Sequence, residues 1–327
     1  MRVLQSVGPP GPTIKFIDQV TRDAPDDVEF VYFSWREALV GPYDVVHIHW
    51  PEFFVRSRSA GAGLVKRMLT RLLLLRWRRR GMPIVHTVHN LEPHSALSAR
   101  QRRLMNRITD AARVRVALNQ DTPVVPGIPQ VVIPHGDYRR QFGRLTAASR
   151  VDGRLLTIGR IEAYKNVPRL VRLAAEHGWE LRVVGEPAPD TRRPLTAQLD
   201  ALPPGHRVSA TLAFVDDATL VAEITAAQLI VLPYRELHNS GILLVALSLN
   251  RPVLVPRTDA TAQLAAAVGA GWVHLFDGDL QAHDVATALA ATAAVHGEPD
   301  LGDRSWEHIA TAYAEVYRRV RRETASR

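Results

Sequence analysis

The sequence predicts an α/β protein of two domains, each a parallel sheet covered by helices. Three observations predict it. Short apolar runs alternate with stretches of helical spacing, the pattern of strands buried on both faces and joined by crossover helices. The runs fall into two successive series. The chain has 327 residues, 46% of them hydrophobic, more than one core usually organises.

The first series is Val3–Ser6, Val28–Tyr32, Asp44–His49, Ile84–Val88, Val114–Leu118 and Gln130–Ile133. The second is Leu155–Ile158, Leu181–Val184, Val208–Phe214, Leu229–Pro233, Pro252–Val255 and Trp272–Leu275. Between them RRQFGRLTAASRVDG is polar and weakly patterned, so the division is expected near 140–152, giving domains 1–148 and 149–304. Trp306, Ile309, Tyr313, Val316 and Val320 then repeat at helical spacing and predict a terminal helix within 305–327.

The absence of cysteine excludes disulfides and cysteine-held metal. No charged segment followed by a long apolar run opens the chain, and the greasiest stretch, Met68 to Trp77, is interrupted by Arg71 and Arg76. Neither a signal peptide nor a membrane span is expected, and the reading is a cytoplasmic protein.

Charge is unevenly placed. Residues 1–150 carry 23 Lys/Arg against 12 Asp/Glu, a net +11, and residues 151–327 carry 18 against 21, a net −3. Much of the excess lies in one segment. From Phe53 to Leu91 there is no acid, but there are Arg56, Arg58, Lys66, Arg67, Arg71, Arg76, Arg78, Arg79 and Arg80. Leu64, Val65, Met68, Leu69, Leu72, Leu73, Leu75 and Trp77 supply a broad apolar face. Residues 56–80 therefore read as a basic amphipathic helix suited to an anionic membrane surface. The competing reading is a helix packed on its own sheet with a solvated basic face.

In the second half, Leu155-Leu156-Thr157-Ile158-Gly159-Arg160 is a buried strand ending in a glycine turn, and a helix is expected to start near Val167. Gly159 lets the backbone approach a ligand at the strand's carboxyl end. Arg160 and Lys165 place two cations beside the helix start, where dipole, free N–H groups and side-chain charge act together on a diphosphate. A second strand ends at Gly185. A third ends at Pro233-Tyr234, and Asn239-Ser240-Gly241-Ile242 then turns into another helix whose first amides face an anion or a ribose. Each segment taken alone fits ordinary Rossmann packing.

Three segments of the first half carry histidines at strand exits: His47-Ile48-His49-Trp50-Pro51-Glu52, then His86-Thr87-Val88-His89-Asn90, and His135-Gly136-Asp137. His47 and His86 read as structural, with one of His47 and His49 facing the packing layer. His49, His89 and His135 read as site candidates. No spacing of metal-ligand type is present, so no metal is expected.

In their order and spacing, Gly159, Arg160, Lys165, Gly185, Pro233, Gly241, Pro252 and Val253 resemble the donor domain of a large group of GT-B glycosyltransferases. That group includes bacterial exopolysaccharide and glycolipid mannosyl- and glucosyltransferases. The resemblance spans nearly the whole chain. It implies the GT-B architecture, two Rossmann-like domains facing across a cleft, with the terminal helix crossing back to the first. It implies transfer of a hexose, mannose from GDP-mannose by preference, from a nucleoside-diphosphate sugar to a glycan or lipid-linked acceptor. No cofactor beyond that co-substrate is implied, and the protein is expected on the inner face of the plasma membrane.

The donor would be held by Gly159, Arg160, Lys165, Gly185, Tyr234, Asn239, Ser240, Gly241 and Ile242. His89 matches a histidine lining the cleft of relatives, with His49, His135 and Gly136 on the acceptor side. Retaining members carry two glutamates eight apart near the glycine turn; here those positions are Leu237 and Val245, with Glu236 one place off the first. The departure favours inversion, which needs a general base, and Glu52 and Asp121 are both candidates. The ordinary role of Asp121, before Thr-Pro, would be helix capping.

Two other classes fit part of the pattern. A nucleic-acid-binding protein fits the basic half, but the motifs of such proteins are missing and the expected phosphate site lies in the acidic half, so no nucleic acid is expected. A double-Rossmann sugar-nucleotide isomerase shares the fold pattern and would release no nucleotide on adding an acceptor.

Overall fold

The computed structural model describes residues 1–9, 15–57, 59–91, 97–237, 239–302 and 304–325. The chain divides into two compact units, one of Met1–Gly136 with Asp303–Arg327 and one of Asp137–Gly302. The division falls before the weakly patterned segment rather than within it. Tyr138 and Phe142 explain this: both are buried in the core of the second unit.

In the first unit the chain runs β1 (Arg2–Gln5), α1 (Lys15–Arg22), β2 (Glu29–Tyr32), α2 (Trp35–Val40), β3 (Val45–Ile48), α3 (Ala60–Arg79), β4 (Ile84–Val88), α4 (Ala99–Thr109), β5 (Val114–Ala117) and β6 (Gln130–Val132). The six strands form one parallel sheet in the order β2-β1-β3-β4-β5-β6. Polar caps start the helices. Ser34 accepts from the Glu37 amide to open α2, and Ser98 and Gln101 close a reciprocal capping box at α4.

The second unit begins with the short α5 (Arg139–Phe142). It continues β7 (Arg154–Ile158), α6 (Val167–Glu176), β8 (Glu180–Val184), α7 (Pro189–Asp200), β9 (Val208–Thr211), α8 (Asp217–Ala226), β10 (Leu229–Val231), α9 (Gly241–Ser248), β11 (Val253–Pro256), α10 (Asp259–Ala267), β12 (Val273–Phe276) and α11 (Ala282–Ala291). Its parallel sheet has the order β12-β11-β10-β7-β8-β9. The chain then returns to the first unit as α12 (Trp306–Ala325), whose Ile309, Tyr313, Tyr317 and Val320 pack on Val3, Val45, Val85 and Val114.

Every apolar run read as a strand holds one. The run Val208–Phe214 stops short as β9 at Thr211, and Phe214 is exposed. Each sheet has one point where the strand order reverses, between β1 and β3 in the first and between β7 and β10 in the second. In open parallel sheets ligands bind outside the carboxyl ends of the strands at that point.

Candidate functional site

In the second unit the reversal point gathers most of the residues expected to hold a donor. The Gly159 amide donates to the Val184 carbonyl at 3.0 Å, which lays the turn after β7 against the end of β8. Gly159 has φ +110° and Gly185 φ +142°, conformations open to glycine. Lys165 ends a 3-10 turn, Ala163–Lys165, and Asn166 takes a left-handed φ of 50° that redirects the chain into α6. The backbone of the β10 exit is tied to this turn: the Arg235 amide donates to the Tyr164 carbonyl at 2.9 Å.

Lys165 Nζ lies 5.2 Å from the centre of the Tyr234 ring, and Tyr164 meets Tyr234 edge-on at 5.8 Å. A side chain grown from Gly159 would meet Ile242 first, at 3.3 Å, and Lys165 Nζ at 3.9 Å. The Lys165 ammonium thus sits at the glycine turn, beside the start of α9. Burial lowers it to about 8, opposed by the nearby Glu162 carboxylate and reinforced weakly by Arg160. The Tyr234 hydroxyl bonds Ser240, and burial holds the phenol protonated far above its ordinary range. Ser240 in turn caps α9, accepting from the Leu243 amide.

Arg160 stands apart from this cluster. Its side chain is 64% exposed and pairs with Glu162 at 3.2 Å. Leu237 and Val245, which replace the two glutamates of retaining relatives, are buried in the apolar core, while Glu236 is exposed. Asn239 and Gly241 flank Ser240 at the mouth of α9, and Gly241 has space for a Cβ, whose nearest neighbour is the Tyr138 hydroxyl at 3.6 Å.

In the first unit the reversal point holds a histidine cluster. His47 and His49 are two residues apart and share one face of β3, with ring centres 3.9 Å apart, so both are buried and neither is turned away. His47 Nδ1 is hydrogen-bonded to the Tyr317 hydroxyl at 2.6 Å, and its Nε2 to Thr87 Oγ1 at 2.8 Å. His47 is thereby tied to α12, as its structural reading required.

A different chain leads outward. Amide oxygen can only accept, so His49 Nε2–H donates to Gln5 Oε1 at 2.7 Å. Neutral His49 then offers Nδ1 as an acceptor, and His89 Nε2–H fills it at 3.0 Å. Burial, with the neighbouring imidazoles adding to it, holds His47, His49 and His89 well below their ordinary range and therefore neutral at pH 7. His89 stacks on Trp50 at 4.4 Å, and the edge of Phe16 packs against His49, His89 and His135. Nothing in the spacing of the sequence pointed to Gln5 or Phe16, although a glutamine inside an apolar strand is a usable signal.

Beside the cluster opens a groove of about 210 Å³. His49, Trp50, Glu52, His86 and His89 line it together with Asn106, Asp110 and Arg115. Glu52 comes from a 3-10 turn, Pro51–Phe54, that begins at the proline. Asp121 is not among the lining residues. It occupies a turn after β5 that leads to β6 with no helix between, so it caps none; its amide donates to Asn119 Oδ1 at 2.9 Å. Gly136 has a packing role, because a Cβ there would lie 2.4 Å from the Trp306 indole. His135 packs on Trp306 as well, at 5.6 Å.

Most of the basic segment is α3, with Arg56 before it and Arg80 capping its end; Arg58 lies outside the described residues, as do residues 92–96 after the His89 segment. Leu73 and Trp77 are buried beneath the helix, while Leu64, Val65, Met68, Leu72 and Leu75 are 43–63% exposed. The helix therefore packs on its own unit through one face and leaves an apolar stripe exposed on another. Arg76 belongs to neither surface: its guanidinium donates to the Leu39 and Gly41 carbonyls at the end of α2. Among the described residues no group of three or more His, Asp or Glu side chains could hold a metal ion, and no helix is long and apolar enough to cross a membrane.

No protein-family profile matches the sequence. The chain is 39% identical over 310 residues to two curated GDP-mannose:glycolipid 4-β-D-mannosyltransferases of Xanthomonas campestris pathovar campestris, covering 93% of this chain and 88% of each relative. Among solved structures it resembles sucrose-phosphate synthase from Thermosynechococcus elongatus (TM-score 0.61, 14% identity, 99% and 97% of the two chains). It also resembles Anabaena HepE in complex with UDP and glucose (0.60, 14%, 100% and 98%). A third is WaaG, a glycosyltransferase of lipopolysaccharide biosynthesis (0.58, 14%, 99% and 98%). These likenesses establish the fold as GT-B, with two Rossmann-like domains.

Proposed function

The chain belongs to the GDP-mannose:glycolipid 4-β-D-mannosyltransferase family, and from that premise we propose that it transfers mannose from GDP-mannose to the sugar of a lipid-linked acceptor, with inversion. The observation that carries this is the family identity over 93% of the chain, together with Lys165 seated at the Gly159 turn. Departure of a nucleoside diphosphate develops negative charge on the leaving oxygens. An ammonium and the first amides of α9, fixed beforehand in a partly dry site, stabilise that charge without reorganising. They supply the electrostatic role a divalent ion plays elsewhere, so transfer proceeds in excess chelator.

A β-linked product from an α-linked donor requires a single displacement. The apolar Leu237 and Val245 agree with that, since neither can contact a sugar hydroxyl or a ribose by hydrogen bonding. The acceptor hydroxyl must lose its proton as it attacks. Glu52, which lines the groove with His49 and His89, serves as that base. His89, neutral and tautomerically fixed through His49 and Gln5, orients the reacting sugar.

The acceptor's lipid places the reaction at a membrane, on the side where nucleotide sugars are made. The exposed apolar stripe of α3, edged by Arg71, Arg78 and Arg79, lies on the anionic leaflet. The product belongs to exopolysaccharide or related glycolipid assembly.

The test is transfer from labelled GDP-, UDP- and ADP-sugars to lipid-linked saccharides extracted from bacterial membranes. A mannolipid formed with stoichiometric GDP release is the expected result. Transfer from UDP-glucose and none from GDP-mannose would overturn the donor, and donor hydrolysis without a glycolipid product would overturn the acceptor.

A further inference from the structure

The turn that carries Lys165 also carries a carboxylate that nothing in the proposed reaction uses. Glu162 stands between Arg160 and Lys165 in backbone pinned on both sides. The Ile161 amide donates to the Glu186 carbonyl at 3.0 Å, and the Lys165 amide to the Glu162 carbonyl at 3.0 Å. Residue 162 is extended, with φ −123° and ψ 159°. Ile161 is buried in the core, so Arg160 and Glu162 share the opposite side. They meet there at 3.2 Å, with the Glu162 side chain 24% exposed. Its carboxylate does not cap the 3-10 turn that follows. Among the described residues no second group bonds it, and neither of its oxygens is sealed from solvent. Its charge reaches the donor cluster. Burial lowers Lys165 and raises the Tyr164 phenol, and the Glu162 charge is the next influence on both.

We propose that Glu162 is a donor-binding residue whose carboxylate accepts hydrogen bonds from two adjacent hydroxyls on a ring attached to the diphosphate. The inference rests on the nucleotide-sugar reading of the site and names a further contact within it.

A carboxylate can only accept hydrogen bonds. It repels the phosphoryl oxygens that Lys165 attracts, so the part of a donor that faces it must bring N–H or O–H groups. Glu162 caps the same 3-10 turn that Lys165 ends. Its reach is therefore a ring bonded directly to the phosphates, the ribose or the hexose, and not the base, which lies one ring further off. Each of these rings carries a vicinal pair of hydroxyls, and such a pair matches the two oxygens of a carboxylate. Leu237 and Val245 are buried and apolar and offer those hydroxyls no acceptor, and a hydroxyl that leaves water without one is costly. The ion pair with Arg160 offsets part of the Glu162 charge, which limits its repulsion of the diphosphate.

The experiment is titration calorimetry of wild type and Glu162→Ala with three ligands: GDP-mannose, its 2-deoxy-2-fluoromannose analogue and its 2′-deoxyribose analogue. Wild type should bind one analogue about tenfold more weakly than GDP-mannose. The fluorinated analogue places the hydroxyl pair on the hexose, and the deoxyribose analogue places it on the ribose. Glu162→Ala should bind GDP-mannose about tenfold more weakly than wild type and no longer separate it from that analogue. A carboxylate that only tempers its neighbouring cations acts in the other direction. Removing it would leave the turn more positive, and Glu162→Ala would bind GDP-mannose as tightly as wild type or more tightly. That result overturns the proposal, as does equal binding of all three ligands by wild type. A turn merely loosened by the substitution would weaken all three ligands alike, and discrimination surviving in Glu162→Ala also overturns it. If wild type binds UDP-glucose and not GDP-mannose, the donor reading falls alone. The same comparison with UDP-glucose and its 2-fluoro and 2′-deoxy analogues then decides Glu162. Binding of no nucleotide sugar overturns the site and this contact with it.

Discussion

The carbonyl oxygen of Gly159 occupies the space where a side chain on Gly185 would begin: a Cβ there would lie 2.0 Å from it. The ends of β7 and β8 can approach this closely only because residue 185 has no side chain. That approach sets the glycine turn beside Lys165.

Gly185→Ala should therefore be strongly destabilising. Its φ of +142° is strained for any L residue, and the carbonyl it meets is backbone that cannot rotate away. Strain and overlap together cost about 3 kcal/mol, roughly 6–12 °C of melting temperature for a unit of this size. Gly241→Ala is the control, since its Cβ has space; that variant should melt within about 2 °C of wild type. Equal melting of both variants, by circular dichroism, would contradict the close approach.

Lys165 predicts a basic limb in donor binding. It holds a diphosphate only when protonated, and its ammonium sits at about 8 in the free protein. As pH rises through that value the cation is lost, so the donor kcat/KM should fall above pH 8. Arg160, exposed and paired with Glu162, contributes less. Lys165→Met should lower donor affinity by about 1.5–3 kcal/mol and remove the limb, while Arg160→Ala lowers it by under about 1 kcal/mol. A limb that persists in Lys165→Met belongs to another group.

Legibility in the sequence followed the physics of each feature. Buried parallel strands are continuous apolar runs, so the six strands of each sheet were readable, and so was the capped start of α9 at Ser240. The cluster of Gly159, Lys165 and Ser240 was readable because each lies within one strand-turn-helix unit. The histidine chain was only half readable: His49 and His89 stand at strand exits, but Gln5, which fixes their tautomers, is 44 residues from His49. Arg76 shows the converse. On helical spacing it joins the basic face, yet two carbonyls at the end of α2, far away in sequence, claim its guanidinium. Asp121 misled because Thr-Pro suggested a helix where the chain turns directly to β6.

The histidine cluster predicts acid sensitivity. Burial lowers His47, His49, His86, His89 and His135 below the value of about 6.5 they have in the unfolded chain. The unfolded state therefore binds more protons, and stability rises with pH across this window. The contribution is fully present above pH 6.5 and is lost as pH falls towards the folded value, about 4 for His86 and His135. Each such histidine costs up to about 1.4 kcal/mol per pH unit within the window. Thermal unfolding between pH 7.5 and 5 should show a steep fall, and His47→Gln should flatten it. A melting temperature constant over that range would mean these imidazoles are hydrated and not buried.

The two faces of α3 predict separable effects of substitution. Leu73 and Trp77 are buried under it, whereas Leu64, Met68 and Leu72 are 49–63% exposed along one stripe. Replacing those three by serine removes apolar surface from water rather than from the core, so stability should hold or improve. Membrane affinity should fall, since burying each leucine or methionine is worth roughly 1.5–3 kcal/mol. Neutralising Arg71, Arg78 and Arg79 should weaken binding by about 1 kcal/mol for each cation near an anionic surface, an effect that salt screens and the serine substitutions do not share. Arg76→Gln is predicted to behave differently: it frees the Leu39 and Gly41 carbonyls and lowers the melting temperature while leaving binding intact. Co-sedimentation with vesicles of neutral and of anionic lipid, at low and high salt, separates the two contributions. If the wild type stays in the supernatant with anionic vesicles, the stripe does not dock on a bilayer and α3 is a solvated crossover helix.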